Sequence, residues 1–171
     1  MATKGKWAQG ITPRHFAWVI KDKLAISERP GGYGANHRKV RRQEEIIWVR
    51  EQGFTKVVSL IGSPHNLHNY DELGVHWAHC PLQPQDDVAK VLGALYPQLT
   101  ALMAGAGKVL VHGESLDDRI CGAVAGYLLW SGLLPDGPRT ITAMEQLASR
   151  QLGPEGRELV AIAQRLRDGE S

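Results

Sequence analysis

Residues 108–130, KVLVHGESLDDRICGAVAGYLLW, constrain this chain more than any other stretch. Val109, Leu110 and Val111 form a short apolar run with β-branched residues, as expected of a strand buried on both faces of a parallel sheet. His112 to Arg119 are polar and predict a tight loop. From Ile120 onward, Ile120, Val124, Tyr127 and Leu128 recur at helical spacing, with the small residues Gly122, Ala123, Ala125 and Gly126 between them. A strand, a short loop and a helix in this order aim backbone N–H groups and a helix N-terminus at whatever lies over the loop. That geometry suits an anion.

Similar elements flank this unit. Residues 16–20 and 24–27 predict a hairpin about the Lys21-Asp22-Lys23 turn. Pro30, Gly31, Gly32 and Gly34 mark a loop. Asn36 is a candidate N-cap for a helix over 37–51, with Val40, Ile46, Ile47 and Val49 apolar and Gly53 ending it. Strands are expected at 56–61 and 75–82, with a loop over 62–70 between them. Asp86 or Asp87 would cap a helix carrying Val88, Val91, Leu92, Leu95, Leu99 and Leu102, weakened or kinked by Gly93 and Pro97. Helices at about 140–152 and from Pro154 close the chain. Strands alternating with helices after an opening hairpin predict an α/β fold of three layers. Its central, mostly parallel sheet has four or five strands and helices on both faces. The loop at 112–119 should sit at the carboxyl end of a central strand, where ligands bind in such sheets. The expected organisation is a polar tail over 1–12, with Trp7, and a single domain over 13–171.

Composition removes several classes of function. The 171 residues are 43% hydrophobic and 22% charged, as in ordinary globular proteins. A net charge of +2 is too small to argue for nucleic acid or an anionic membrane as partner. No apolar run approaches the roughly 18 residues of a membrane-spanning helix, and the first residues lack the apolar core of a secretory signal. Cys80 and Cys121 do not make a disulfide framework, so a reduced, cytoplasmic setting is expected. His65, His68, His76 and His79, with Cys80 and Asp71, lack the spacing of known metal motifs. Neither a metal nor a cofactor is expected.

The central loop resembles the signature of the cysteine-dependent protein phosphatases of the dual-specificity and tyrosine-phosphatase-like group, V-H-C-x2-G-x2-R-[ST]. Here the run is Val111-His112-Gly113-Glu114-Ser115-Leu116-Asp117-Asp118-Arg119-Ile120. The valine, histidine and arginine match in register, as do Glu114 and Asp118 to members with an HCExGxDR loop. The hairpin W-V-I-x-x-K-L-A-x-S-x-R-P and the run Q-G-F-T-K-V-V-S-L are also similar to that group. The match spans Trp18 to Trp130, roughly two-thirds of the chain. The resemblance implies a phosphatase-like fold whose anion loop comprises His112, Gly113, Glu114, Ser115, Leu116, Asp117, Asp118 and Arg119, with His112 bracing it.

Three departures bear on chemistry. Gly113 stands where the nucleophilic cysteine would be, so no phosphocysteine can form. Loss of a nucleophile from a catalytic unit can cost on the order of 10⁶ in turnover. Leu116 replaces the signature glycine. If that position required positive φ, the leucine would cost roughly 1–2 kcal/mol or change the loop. Ile120 replaces the hydroxyl that the resemblance assigns to thiolate release. The acidic side chains Glu114, Asp117 and Asp118 could repel a phosphate by at most roughly 3 kcal/mol, for a carboxylate ~5 Å away at an effective dielectric of ~20.

These features imply a pseudophosphatase, a phosphatase-like domain used in binding or scaffolding, with a phosphorylated protein or a small phosphoester as candidate ligand. Two alternatives stand beside it. One is a phosphomonoester hydrolase of altered mechanism using Asp117, Glu114 or the Cys121 thiol. The other is an active phosphatase inactivated by substitution of a cysteine at 113. Asp86 or Asp87 lies where the resemblance places a general acid, vestigial if the chemistry is lost. The basic residues His37, Arg38, Lys39, Arg41 and Arg42 form either a solvated helix face or a docking patch for an acidic partner.

Overall fold

The computed structural model describes residues 9–32, 39–64 and 66–169. The expected cap Asn36, the basic residues His37 and Arg38, and Trp7 and His65 lie outside them. Among the described residues, eleven elements follow one another: β1 (Ala17–Ile20), β2 (Leu24–Glu28), α1 (Lys39–Glu51), β3 (Lys56–Ser59), α2 (His68–Glu72), β4 (Trp77–His79), α3 (Val88–Leu102), β5 (Val109–Gly113), α4 (Asp118–Trp130), α5 (Gly137–Ala148) and α6 (Pro154–Arg167). The sheet runs β1-β2-β5-β3-β4. Among these strands, only the β1–β2 pair is antiparallel.

The period of two along each strand divides the core between two faces. Leu24, Ile26, Val58, Val109 and Val111 face α3, α4, α5 and α6. Ala25, Val57 and Leu110 face the other way, onto Ile46 and Val49 of α1 and onto Leu67 and Tyr70 at α2. The fold class is therefore the one expected, with five strands. β5 lies between β2 and β3, so its carboxyl end opens at the centre of the sheet.

α4 is buried on nearly every side, from Ile120 through Leu129, as a helix enclosed between a sheet and further helices must be. Its small residues allow this. A Cβ at Gly122 would lie 2.5 Å from the Gly156 Cα of α6, and one at Gly126 would overlap the Tyr96 hydroxyl. That hydroxyl donates to the Ala123 carbonyl at 2.7 Å. The two helix backbones meet where neither has a side chain.

Several boundaries differ from expectation. α2 falls within the expected loop over 62–70 and beyond it; at five residues it is too short to show a periodicity. β3 and β4 are shorter than their apolar runs, although the N–H groups of Leu60, Cys80 and Leu82 still donate to the carbonyls of His112, Ser59 and Leu60. α3 continues through Gly93 and Pro97 as far as Leu102. α5 begins at Gly137, with Asp136 accepting from the Arg139 N–H. At the start of the chain, the Ile11 N–H donates to the Glu44 carbonyl at 3.0 Å, so this part of the expected tail lies on α1.

Candidate active site

β5 carries His112 and Gly113 as its last two residues, and α4 begins at Asp118 with Asp117 as N-cap. The loop proper is therefore 114–117, shorter than the expected 112–119. The helix starts two residues before its apolar periodicity does, because Asp118 and Arg119 occupy its first turn and face α6, not the core.

His112 is 2% exposed. Its Nδ1 lies 3.1 Å from the Gly113 carbonyl, which can only accept, so Nδ1 carries the proton. Nε2 then accepts from the Tyr70 hydroxyl at 2.9 Å. Burial pushes the imidazole down to about 4. Because this lies below the free histidine value, the unfolded chain takes up a proton that the folded protein refuses between about pH 6.5 and 4. The stabilisation is complete above that window and is lost as pH falls through it, by about 3 kcal/mol. An NMR titration should show the His112 ring neutral at pH 5, with folding stability falling between pH 6.5 and 4. A ring that titrates near 6.5 would contradict this environment.

Gly113 is buried, and the direction its side chain would take is occupied. An ideal Cβ there would lie 2.5 Å from Ile120 Cγ1, 2.6 Å from Ile120 Cδ1 and 3.3 Å from the Ser115 carbonyl. Leu116 does not have positive φ, so the expected strain is absent. Its side chain packs on the main core, and its carbonyl accepts from Arg150 Nη1 at 2.8 Å. The loop has settled into a shape that a leucine suits.

The acidic side chains are each taken. Glu114 Oε1 lies 3.8 Å from Arg29 Nη1. Asp117 caps α4, accepting from the Ile120 N–H at 3.0 Å. Asp118 accepts from the backbone N–H of Gly153 at 2.6 Å and of Gly156 at 2.7 Å. α6 starts at a glycine that has no side chain to cap it, and α4 supplies the missing carboxylate. Repulsion of an anion is thereby reduced below the bound drawn from sequence.

Arg119 is also engaged. Its Nε donates to Glu155 Oε1 at 2.7 Å, its Nη2 donates to the same oxygen, and its Nη1 is 3.5 Å from the Leu82 carbonyl. The backbone N–H groups of Glu114, Ser115, Leu116 and Asp117, by contrast, meet no acceptor among the described residues. The loop keeps its amide donors while its arginine is drawn aside. Ser115 and Leu116 border a cleft of about 460 Å³ shared with His15 and Arg150.

Both candidate general acids have structural partners. Asp86 accepts from the Gln83 N–H at 2.7 Å, and Asp87 accepts from the Lys90 N–H at 3.3 Å as the N-cap of α3. Leu82, just before this segment, is the residue that Arg119 reaches. Cys121 is fully buried, and burial pushes its thiol up to about 11. Of the basic cluster, Arg41 pairs with Glu45 at 3.2 Å, Arg42 donates to Asn69 at 3.1 Å and Lys39 is exposed. His79 bonds the Ile61 carbonyl, and His68 and His76 are exposed.

No family model and no curated protein sequence matches the chain. Solved structures do. A kinase-associated phosphatase carrying serine in place of its catalytic-site cysteine aligns with a TM-score of 0.74 and 18% identity, over 92% of this chain and 96% of that one. The core catalytic domain of a PP-IP phosphatase from S. cerevisiae, in complex with citrate, gives 0.67 and 12%, over 94% of each chain. The human tyrosine phosphatase-like serine/threonine/tyrosine-interacting protein gives 0.66 and 12%, over 90% and 95%. The fold is that of the dual-specificity and tyrosine-phosphatase-like proteins.

Within that phosphatase fold, the residues around the loop that sequence did not single out are Tyr70, Glu155, Arg150 and Ile120 in its role against Gly113. One sequence signal was available for the pairing with α6. A Gly-Pro-Glu-Gly helix start without a capping side chain calls for a cap from elsewhere.

Proposed function

We propose that this domain keeps the phosphatase scaffold for binding or scaffolding and performs no cysteine-based phosphotransfer. The observation that carries this is the Ile120 side chain standing where a side chain at 113 would project. A chain disabled only by loss of a cysteine would leave that space open. Hydrolysis by another route finds little support, since Cys121 is buried with a raised thiol and Asp117 is spent on its cap. The ligand class that fits the free loop amides is an oxyanion, as on a phosphorylated protein or a small phosphoester. Such a ligand competes with Glu155 for Arg119. An acidic partner at the start of α1 would meet Lys39 first, with Arg41 and Arg42 already engaged.

The test is a generic phosphomonoester assay beside a tungstate titration. No turnover above blank is expected, and tungstate should bind more tightly to Glu155→Gln than to the unaltered chain. Turnover that scales with protein and survives Cys121→Ser would overturn the inert reading.

A further inference from the structure

Behind the loop, on the α1 side of β5, lies a narrow cavity of about 20 Å³ that the loop itself does not use. Arg29 and Arg42 both line it, with Asn66, Tyr70 and His112. Two polar atoms of these lining residues, Arg42 Nε and Asn66 Nδ2, are buried and have no hydrogen-bond partner among the described residues. Both are donors. The rest of each side chain is placed by other bonds. Arg42 Nη1 donates to Asn69 Oδ1 at 3.1 Å, and Arg29 Nε donates to the Gly32 carbonyl at 2.8 Å. Asn66 sits at a left-handed φ of 68° in the turn before α2, its carbonyl accepting from the Asn69 N–H.

Orphaned buried donors are costly, at ~1–3 kcal/mol each, and two guanidinium groups lining one cavity repel. Burial and the Arg29 charge together hold Arg42 below the usual guanidinium range. The neighbouring carboxylates do not neutralise the pair from inside. Glu114 meets Arg29 at 3.8 Å and is largely exposed, and Glu45 is taken by the Gly31 N–H and by Arg41. Tyr70 and His112 spend their polar hydrogens on His112 Nε2 and the Gly113 carbonyl. What the cavity lacks is an acceptor carrying negative charge.

Size narrows the ligand. One water needs ~10–15 Å³, so about 20 Å³ suits one particle of that order better than a five-atom phosphate. We propose that the Arg29–Arg42–Asn66 cavity is a binding site for a single halide ion, chloride in ordinary buffers. The ion accepts from Arg42 Nε and Asn66 Nδ2 and offsets the repulsion between the arginines. Because His112 and Tyr70 form its far wall, the ion also packs behind the residues that brace the loop.

The test uses bromide as probe on the full chain. Crystals in sodium bromide, measured on both sides of the bromine absorption edge, should show an anomalous peak within bonding distance of Arg42 Nε and Asn66 Nδ2. Thermal melting at constant ionic strength should rise by roughly 4 °C or more when bromide or chloride replaces gluconate, and the rise should saturate. Arg42→Met should abolish that dependence. Asn66→Ala should weaken it, which keeps the test open if Arg42→Met fails to fold. Water without anomalous signal would overturn the site, as would an Asn66 amide turned so that its oxygen accepts from Arg42 Nε. A peak without any halide-dependent melting marks an adventitious ion only and overturns it equally.

Discussion

Gly113→Cys should yield a protein that still fails to turn over phosphomonoesters and is less stable by about 1–3 kcal/mol, the usual cost of overpacking a filled interior. The new Cβ would arrive 2.5–2.6 Å from two carbons of Ile120. Ile120 is 4% exposed and belongs to the main core, so it has little room to retreat. A thiol placed there would also find Arg119 held by Glu155 and no hydroxyl at position 120. Combining Gly113→Cys with Ile120→Thr should relieve part of the overlap, because threonine lacks Cδ1 and its shorter side chain has room to turn. The two changes together should then destabilise by less than the sum of the separate effects, with a coupling of about 1 kcal/mol or more. Chemical denaturation of the four proteins measures this. Brisk phosphatase activity and full stability in Gly113→Cys alone would show a loop shaped for a cysteine, and the inactivated-enzyme alternative would then stand.

Asp118→Ala should cost about 2–4 kcal/mol, from two charge-assisted bonds and the only side-chain cap that α6 receives among the described residues. For a chain of this size the melting temperature should fall by roughly 5–15 °C. Asp118→Asn should fall between the two proteins, since an amide retains one acceptor oxygen and loses the charge. A change below about 0.5 kcal/mol would mean that water caps α6 equally well. The prediction separates two roles that sequence leaves merged. In the resembled signature Asp118 reads as part of an anion loop, whereas its bonds here run to a different helix.

The architecture was legible because it depends on local pattern. Val109 to Val111, Leu24 to Ile26 and the helical spacing after Ile120 are dense signals, and the order of strands and helices leaves few ways to arrange them. The cap at Asp87 is also short-range, and so is the one at Asp117 that the structure adds. The parts of the site that were not legible are pairings across long separations: Arg119 with Glu155, Asp118 with Gly153 and Gly156, and Tyr70 with His112. No periodicity brings such residues together. Leu116 shows the converse problem. Its strain was expected only if the loop kept the resembled shape, and the loop has a shape without positive φ at that position. Gly113 and Ile120 could have been suspected as a pair, since one loses volume where the other gains it.

The contact of bare backbones between Gly122 and Gly156 bears on how this domain can be handled. Removing α6 would strip the cover from one whole side of α4 and take from Asp118 the Gly156 N–H that it accepts from. A chain shortened to end before Pro154 should therefore collapse or aggregate instead of yielding a smaller working unit. Tags and fusions are better attached beyond Arg167 than inserted between the last two helices.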